Sequence, residues 1–109
     1  MQGVDSEIRD AIVEAHSKAE AEPDNAEASG RLGMILEAHT MYGPAEQAYR
    51  RAIALEPNEF AWKYYLGLTL RDESKLEEAL AAFTDALQLR PDYAPGIIQR
   101  AEVLFELGA

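Results

Sequence analysis

The chain has 109 residues, 48% hydrophobic and 28% charged, a balance that fits one folded domain and excludes a disordered or collagen-like chain. With 20 Asp and Glu against 10 Lys and Arg the formal charge is -10, which argues against nucleic acid or an anionic membrane surface as the main partner, because both require a basic patch. Cysteine is absent, which excludes disulfides and thiolate metal sites; no apolar stretch approaches the ~18 residues of a membrane span, and the start lacks a basic region leading into an apolar run, so the expectation is a soluble chain, cytoplasmic by default.

In chain order, Val4 to Glu22 reads as a leading helix with Ile8, Ala11, Ile12 and Ala15 on its apolar side. Apolar residues then return at spacings of three and four over five further stretches. These run from Ala26 to Thr40, Pro44 to Leu55, Phe60 to Arg71, Leu76 to Leu89 and Ala94 to Leu107. Asp24 or Asn25, Asn58 and Asp92 each follow a proline that ends the preceding helix, and offer a side-chain oxygen to cap the next. Pro44 and Pro95 fall at helix starts, where a missing N–H is no loss. No useful length alternates with period two, so the expectation is an all-α chain.

The stretches repeat. Pro23, Pro57 and Pro91 are 34 residues apart, and the same offset relates Leu32 to Leu66, Gly33 to Gly67, Leu36 to Leu70 to Leu104, Ala45 to Ala79, Tyr49 to Phe83 and Ala52 to Ala86. Glycine inside a helix costs ~1 kcal/mol relative to alanine, so Gly33 and Gly67 imply close approach of a neighbouring helix. Ala45 and Ala79 are expected to supply the opposing small surface, with Tyr49 and Phe83 filling the space one turn along.

These residues resemble the tetratricopeptide repeat (TPR) family. Two full repeats cover residues 26–59 and 60–93, residues 4–22 look like the second helix of a preceding repeat, and 94–109 look like the first helix of a following one. The whole is expected to form a single α-solenoid domain of about six antiparallel helices. Two departures stand out: Trp62 lies one place before the family's large apolar position, which here reads Ser29 and Lys63, and Arg100-Ala101 replaces Leu-Gly in the third unit.

The resemblance implies a concave groove lined by the first helix of each repeat. Carried over position by position, it draws on Glu27, Gly30, Arg31, Met34, Glu37 and Ala38, then Ala61, Tyr64, Tyr65, Leu68, Arg71 and Asp72, then Pro95, Ile98, Gln99, Glu102, Phe105 and Glu106. Met34, Tyr64, Tyr65, Leu68, Ile98 and Phe105 form the expected apolar floor, and the rim holds five carboxylates and two arginines. Such a groove suits a partner protein segment with apolar anchors and some positive charge; the alternative is that these side chains only close the core. One subclass grips a chain-terminal carboxylate with basic residues, but the corresponding places here are Gly30, Met34, Tyr65, Pro95 and Gln99, so peptides ending in acidic residues are not expected to bind.

No catalytic, cofactor or metal site is expected. His16 and His39 lie on different helices and read as surface or packing residues; Gly33 and Gly67 occur singly, unlike a phosphate loop. Glu102 and Glu106, four apart, read as a solvated acidic face or as recognition of a basic residue or a weak divalent ion. Asp72-Glu73 and Glu77-Glu78 around Lys75 read as ordinary surface charge. The last helix carries apolar residues on most sides, so Ala101, Leu104 and Leu107 are the candidates for self-association into a homo-oligomer. Two functional alternatives to partner binding therefore stand: a self-associating structural segment, and an accessory repeat region of a larger enzyme.

Overall fold

The computed structural model describes residues 2–108, with side chains from residue 6; Met1 and Ala109, at the ends of the expected domain, lie outside it. The helices are α1 (Gln2–Ala21), α2 (Ala26–Ala38), α3 (Tyr42–Leu55), α4 (Phe60–Asp72), α5 (Leu76–Leu89) and α6 (Ala94–Glu106), and no strand occurs among the described residues. Each packs on the next in sequence, and α2 also touches α4, which makes an elongated body of 45 × 33 × 20 Å. The all-α solenoid of antiparallel helices expected from the period is the fold found.

Two kinds of turn alternate. Between repeats, Asn25, Glu59 and Tyr93 donate their backbone N–H to the carbonyls of Glu22, Glu56 and Arg90, closing the same four-residue turn three times with proline second, where its fixed φ is favourable. Within repeats, Met41 and Lys75 donate back to Leu36 and Leu70 at 2.9 Å, wrapping the ends of α2 and α4 around a left-handed residue. That residue is Thr40 (φ 60°) or Ser74 (φ 62°), and Gly108 (φ 81°) stands at the equivalent place 34 residues on.

The proline turns shift the caps by one residue. Asn25 caps α2 as expected, its Oδ1 accepting from the Ala28 N–H at 3.1 Å. Asn58 and Asp92 lie inside their turns, so Glu59 caps α4 instead and Tyr93 stands before α6 with no side-chain bond. Pro44 also lies inside its helix, because α3 begins at Tyr42.

Tyr49, Phe83 and the alanines at 45, 52, 79 and 86 are fully buried, with Leu36 and Leu70 beside them. The glycines seat the rings: a Cβ at Gly33 would lie 2.7 Å from the Tyr49 ring, and one at Gly67 2.5 Å from that of Phe83. Trp62 repeats the device from the other side. Its indole covers Gly30 so closely that an added methyl would overlap it, which takes Gly30 out of the groove and into the core.

Glu73 departs from the reading of its turn as plain surface charge. Its side chain is only 16% exposed and lies near Glu46 of α3, Oε1 has no hydrogen-bond partner, and Lys75 approaches Oε2 only to 3.6 Å. Burial, together with the neighbouring Glu46 carboxylate, pushes the Glu73 carboxyl above its usual value of 4.5. Burial also raises Glu46, but hydrogen bonds from Arg50 and Lys75 outweigh it and hold that carboxyl low. A folded-state value above the unfolded one means that the favourable contribution of Glu73 is complete below pH 4.5 and is lost as pH rises through the folded-state value. Glu73→Gln should therefore raise stability at pH 7 by about 0.5–1 kcal/mol, or roughly 3–6 °C in melting temperature, and the gain should shrink on acidification toward pH 4.5. Thermal melts of both proteins across that range check it; an unchanged or lowered midpoint at pH 7 counts against the burial argument.

Candidate binding groove

On one side of the solenoid α2 touches α4, and Arg71 links α4 to α6. Between the first two lies a depression of about 280 Å³ lined by Met34, Glu37 and Ala38 from α2 and by Tyr65, Leu68 and Asp72 from α4, with Tyr49 beneath. Helical spacing explains the convergence: 34, 37 and 38 share one face of α2, and 65, 68 and 72 share one face of α4. The floor is apolar and the rim acidic. Tyr49 Oη donates to Glu37 Oε1 at 2.7 Å, which ties the buried ring to the rim; burial, and then this carboxylate, push the phenol above its ordinary value.

Of the residues expected to line the groove, Met34, Tyr65 and Leu68 come together here. The others do not. Tyr64 turns toward Phe60 and Tyr93, with ring centroids 5.6 and 5.2 Å away, while the Arg90 guanidinium sits 5.0 Å over the Phe60 ring. Sequence reasoning missed Phe60, Tyr93 and Arg90; the four-residue spacing of Phe60 and Tyr64 was the available signal. Arg31 pairs with Glu27 at 2.8 Å on the wall of a separate, larger cavity that shares only Met34 with the depression.

Arg71 spans α4 and α6. Its Nη1 donates to Gln99 Oε1 at 2.6 Å, and its Nη2 meets Glu106 and, at 3.5 Å, Glu102. These ion pairs outweigh burial and raise the guanidinium further. Glu102 and Glu106 are exposed, as a solvated acidic face would be, and both carry the chain's own Arg71 as an ion-pair partner. Ile98 and Phe105 project from α6 into solvent, 57% and 83% exposed, outside the depression. On the same helix Ala101 is exposed, Leu104 is half-buried and Arg100 donates to Thr84 Oγ1 at 2.9 Å, while Leu107, just past its end, packs against the core.

His16 pairs with Glu20 at 3.0 Å on α1, and His39 closes the end of α2. Among the described residues no three His, Cys, Asp or Glu side chains gather as metal ligands, and no helix is long and apolar enough to cross a membrane.

Comparison with known proteins agrees with this architecture. The family model for the tetratricopeptide repeat matches residues 42–94. The chain is 33% identical over 102 residues to the probable UDP-N-acetylglucosamine–peptide N-acetylglucosaminyltransferase SPINDLY of Eustoma exaltatum subsp. russellianum, a match that covers 92% of this chain and 11% of that protein. An O-GlcNAc transferase of Thermobaculum terrenum, solved as a variant, superposes with TM-score 0.77 at 31% identity over 89% of this chain and 19% of its own. The first TPR domain of Spaghetti (RPAP3), solved with the HSP90 peptide SRMEEVD, superposes with TM-score 0.88 at 19% identity over 96% of this chain and 83% of its own, a likeness of fold alone. The chain thus spans about a tenth to a fifth of the length of the two glycosyltransferases it matches. Residues 42–94 thus match the tetratricopeptide repeat in sequence, and the chain along nearly its whole length has the fold of tetratricopeptide-repeat proteins.

Proposed function

We propose that this chain is a non-enzymatic binding module whose depression between α2 and α4 holds a segment of a partner protein. The observation that carries the reading is the convergence of Met34, Tyr65 and Leu68 on an apolar floor between Glu37 and Asp72. The floor buries apolar anchors at small cost in side-chain entropy, and the two acidic residues favour a segment that also carries Lys or Arg. TPR domains serve in general as protein-interaction modules, which supports the reading.

Selection from a displayed peptide library should enrich sequences that combine large apolar residues with Lys or Arg. Tyr65→Ala with Leu68→Ala should weaken the selected peptides by roughly 10- to 100-fold, about 1.4–2.8 kcal/mol. The peptide SRMEEVD should not bind, since the rim would repel its carboxylates. Failure to enrich any sequence, or peptides whose affinity survives the double substitution, would sink the proposal.

The likeness to two glycosyltransferases favours a second reading, in which the same groove delivers a protein substrate to a catalytic unit of a longer protein. In that setting the double substitution should slow modification of a protein substrate and leave that of a short peptide unchanged; equal loss on both would reject it.

A further inference from the structure

The displaced tryptophan builds a second site. Where the repeat pattern has its large apolar residue at positions 29 and 63, Trp62 stands one place earlier and swings across to α2, over Gly30. The consequence is a cavity of about 540 Å³ between α2 and the turn that joins α3 to α4. Its apolar wall is Trp62, Met34 and Ile35; its mouth carries three carboxylates, Glu27, Glu56 and Glu59.

Charge decides the occupant. Arg31 also faces the cavity, but Glu27 neutralises it at 2.8 Å. Glu56 and Glu59 pair with no cation among the described residues, and Glu59 has only the Ala61 N–H at the start of α4, so the mouth keeps two carboxylates that no side-chain cation balances, beside an aromatic surface. Elsewhere the molecule fills such places itself: Arg71 occupies the carboxylates of α6, and Arg90 covers the rings of Phe60 and Tyr93. Here Arg31 stays with Glu27, and among the described residues no cation meets Glu56 or Glu59. A neutral apolar side chain would leave Glu56 and Glu59 partly desolvated without a partner, and an acidic one would be repelled; a basic side chain satisfies both the wall and the mouth.

We propose that this cavity is a specificity pocket for an arginine or lysine side chain of the bound segment, with the aliphatic stem on Met34 and Ile35, the charged head between Glu56 and Glu59, and the Trp62 indole beside it. The inference rests on the groove reading, because Met34 belongs to both the cavity and the depression, so a segment on the floor passes the mouth.

Trp62 is the only tryptophan, so its emission reports on the cavity directly. Titration with N-acetyl-Gly-Arg-Gly-amide at constant ionic strength should change that emission with an apparent Kd of roughly 1 mM, the scale of a single side-chain contact. The citrulline analogue, which has the same shape without the charge, should give no saturable change. Glu56→Gln should weaken the arginine probe by roughly tenfold. Because Glu59 also caps α4, Glu59→Gln is used only after its thermal melt matches the parent, and it should have the same effect. No saturable response to the arginine probe, an equal response to citrulline, or an arginine response undiminished in Glu56→Gln would each overturn the assignment. The probe carries no apolar residue for the Tyr65 and Leu68 floor, so its failure leaves the groove reading standing, and failure of the peptide selection leaves this result standing.

Discussion

Phe83→Ala should lower the unfolding free energy by about 3–5 kcal/mol, a large part of the 5–15 kcal/mol typical of a whole domain. The ring is fully buried between α4 and α5 and lies directly over Gly67. Removing it leaves a cavity lined by a glycine on one side, and glycine has no side chain with which to relax inward. The same contact makes a second, opposite expectation. In the parent protein Gly67→Ala sets a methyl 2.5 Å from the ring and should cost about 1–3 kcal/mol, despite alanine's better helix propensity. In the Phe83→Ala background there is no ring to meet, so the same change should become neutral or favourable by up to ~1 kcal/mol. Urea denaturation of the four proteins gives the coupling. Additive effects would show that Gly67 serves some purpose other than seating Phe83.

Trp62→Ala should rank beside it, at about 3 kcal/mol or more, because the indole is nearly buried and closes the space between α2 and α4. These two helices are first helices of successive repeats and touch little otherwise, so the loss falls on the part of the repeat–repeat contact that lies beside the larger packing of α3 on α4. Gly30→Ala probes the same joint without deleting it. Its methyl cannot coexist with the ring where it lies, so the indole must move outward, at about 1–3 kcal/mol. A red shift of the tryptophan emission together with a lower melting temperature is the expected outcome. A Gly30→Ala protein with parental emission and stability would mean that the indole has another resting place of equal energy.

The period of 34 residues carried the architecture because it records contacts between neighbouring helices, and those contacts recur wherever the spacing recurs. Tyr49 and Phe83, Leu36 and Leu70, and the alanines at 45 and 79 could all be placed in this way. What escaped the sequence lies off the period. Trp62 has no counterpart in the other repeat, so nothing in the pattern indicated that it would cover Gly30. Arg71 reaches Gln99 and Glu106, residues 28 and 35 positions away, and the length of its side chain chooses among acceptors that a periodic reading regards as equal. Tyr64 and Tyr65 are adjacent and chemically alike, yet one joins the Phe60 and Tyr93 rings while the other lines the depression; only the rotation of α4 separates them. Glu73 looked like turn charge because its neighbours are charged, and its burial follows from the packing of α3 beside that turn.

The left-handed step at residues 40, 74 and 108 carries a further lesson about how the hairpins are enforced. Threonine, serine and glycine share one backbone geometry there, so the wrapping of the helix end selects the conformation and the residue complies, at a cost glycine does not bear. Amino acids of inverted chirality prefer that region of φ and ψ. Chemical synthesis with D-serine at the middle step would exchange an imposed torsion for a native one, which makes these turns the natural entry points for mirror-image building blocks.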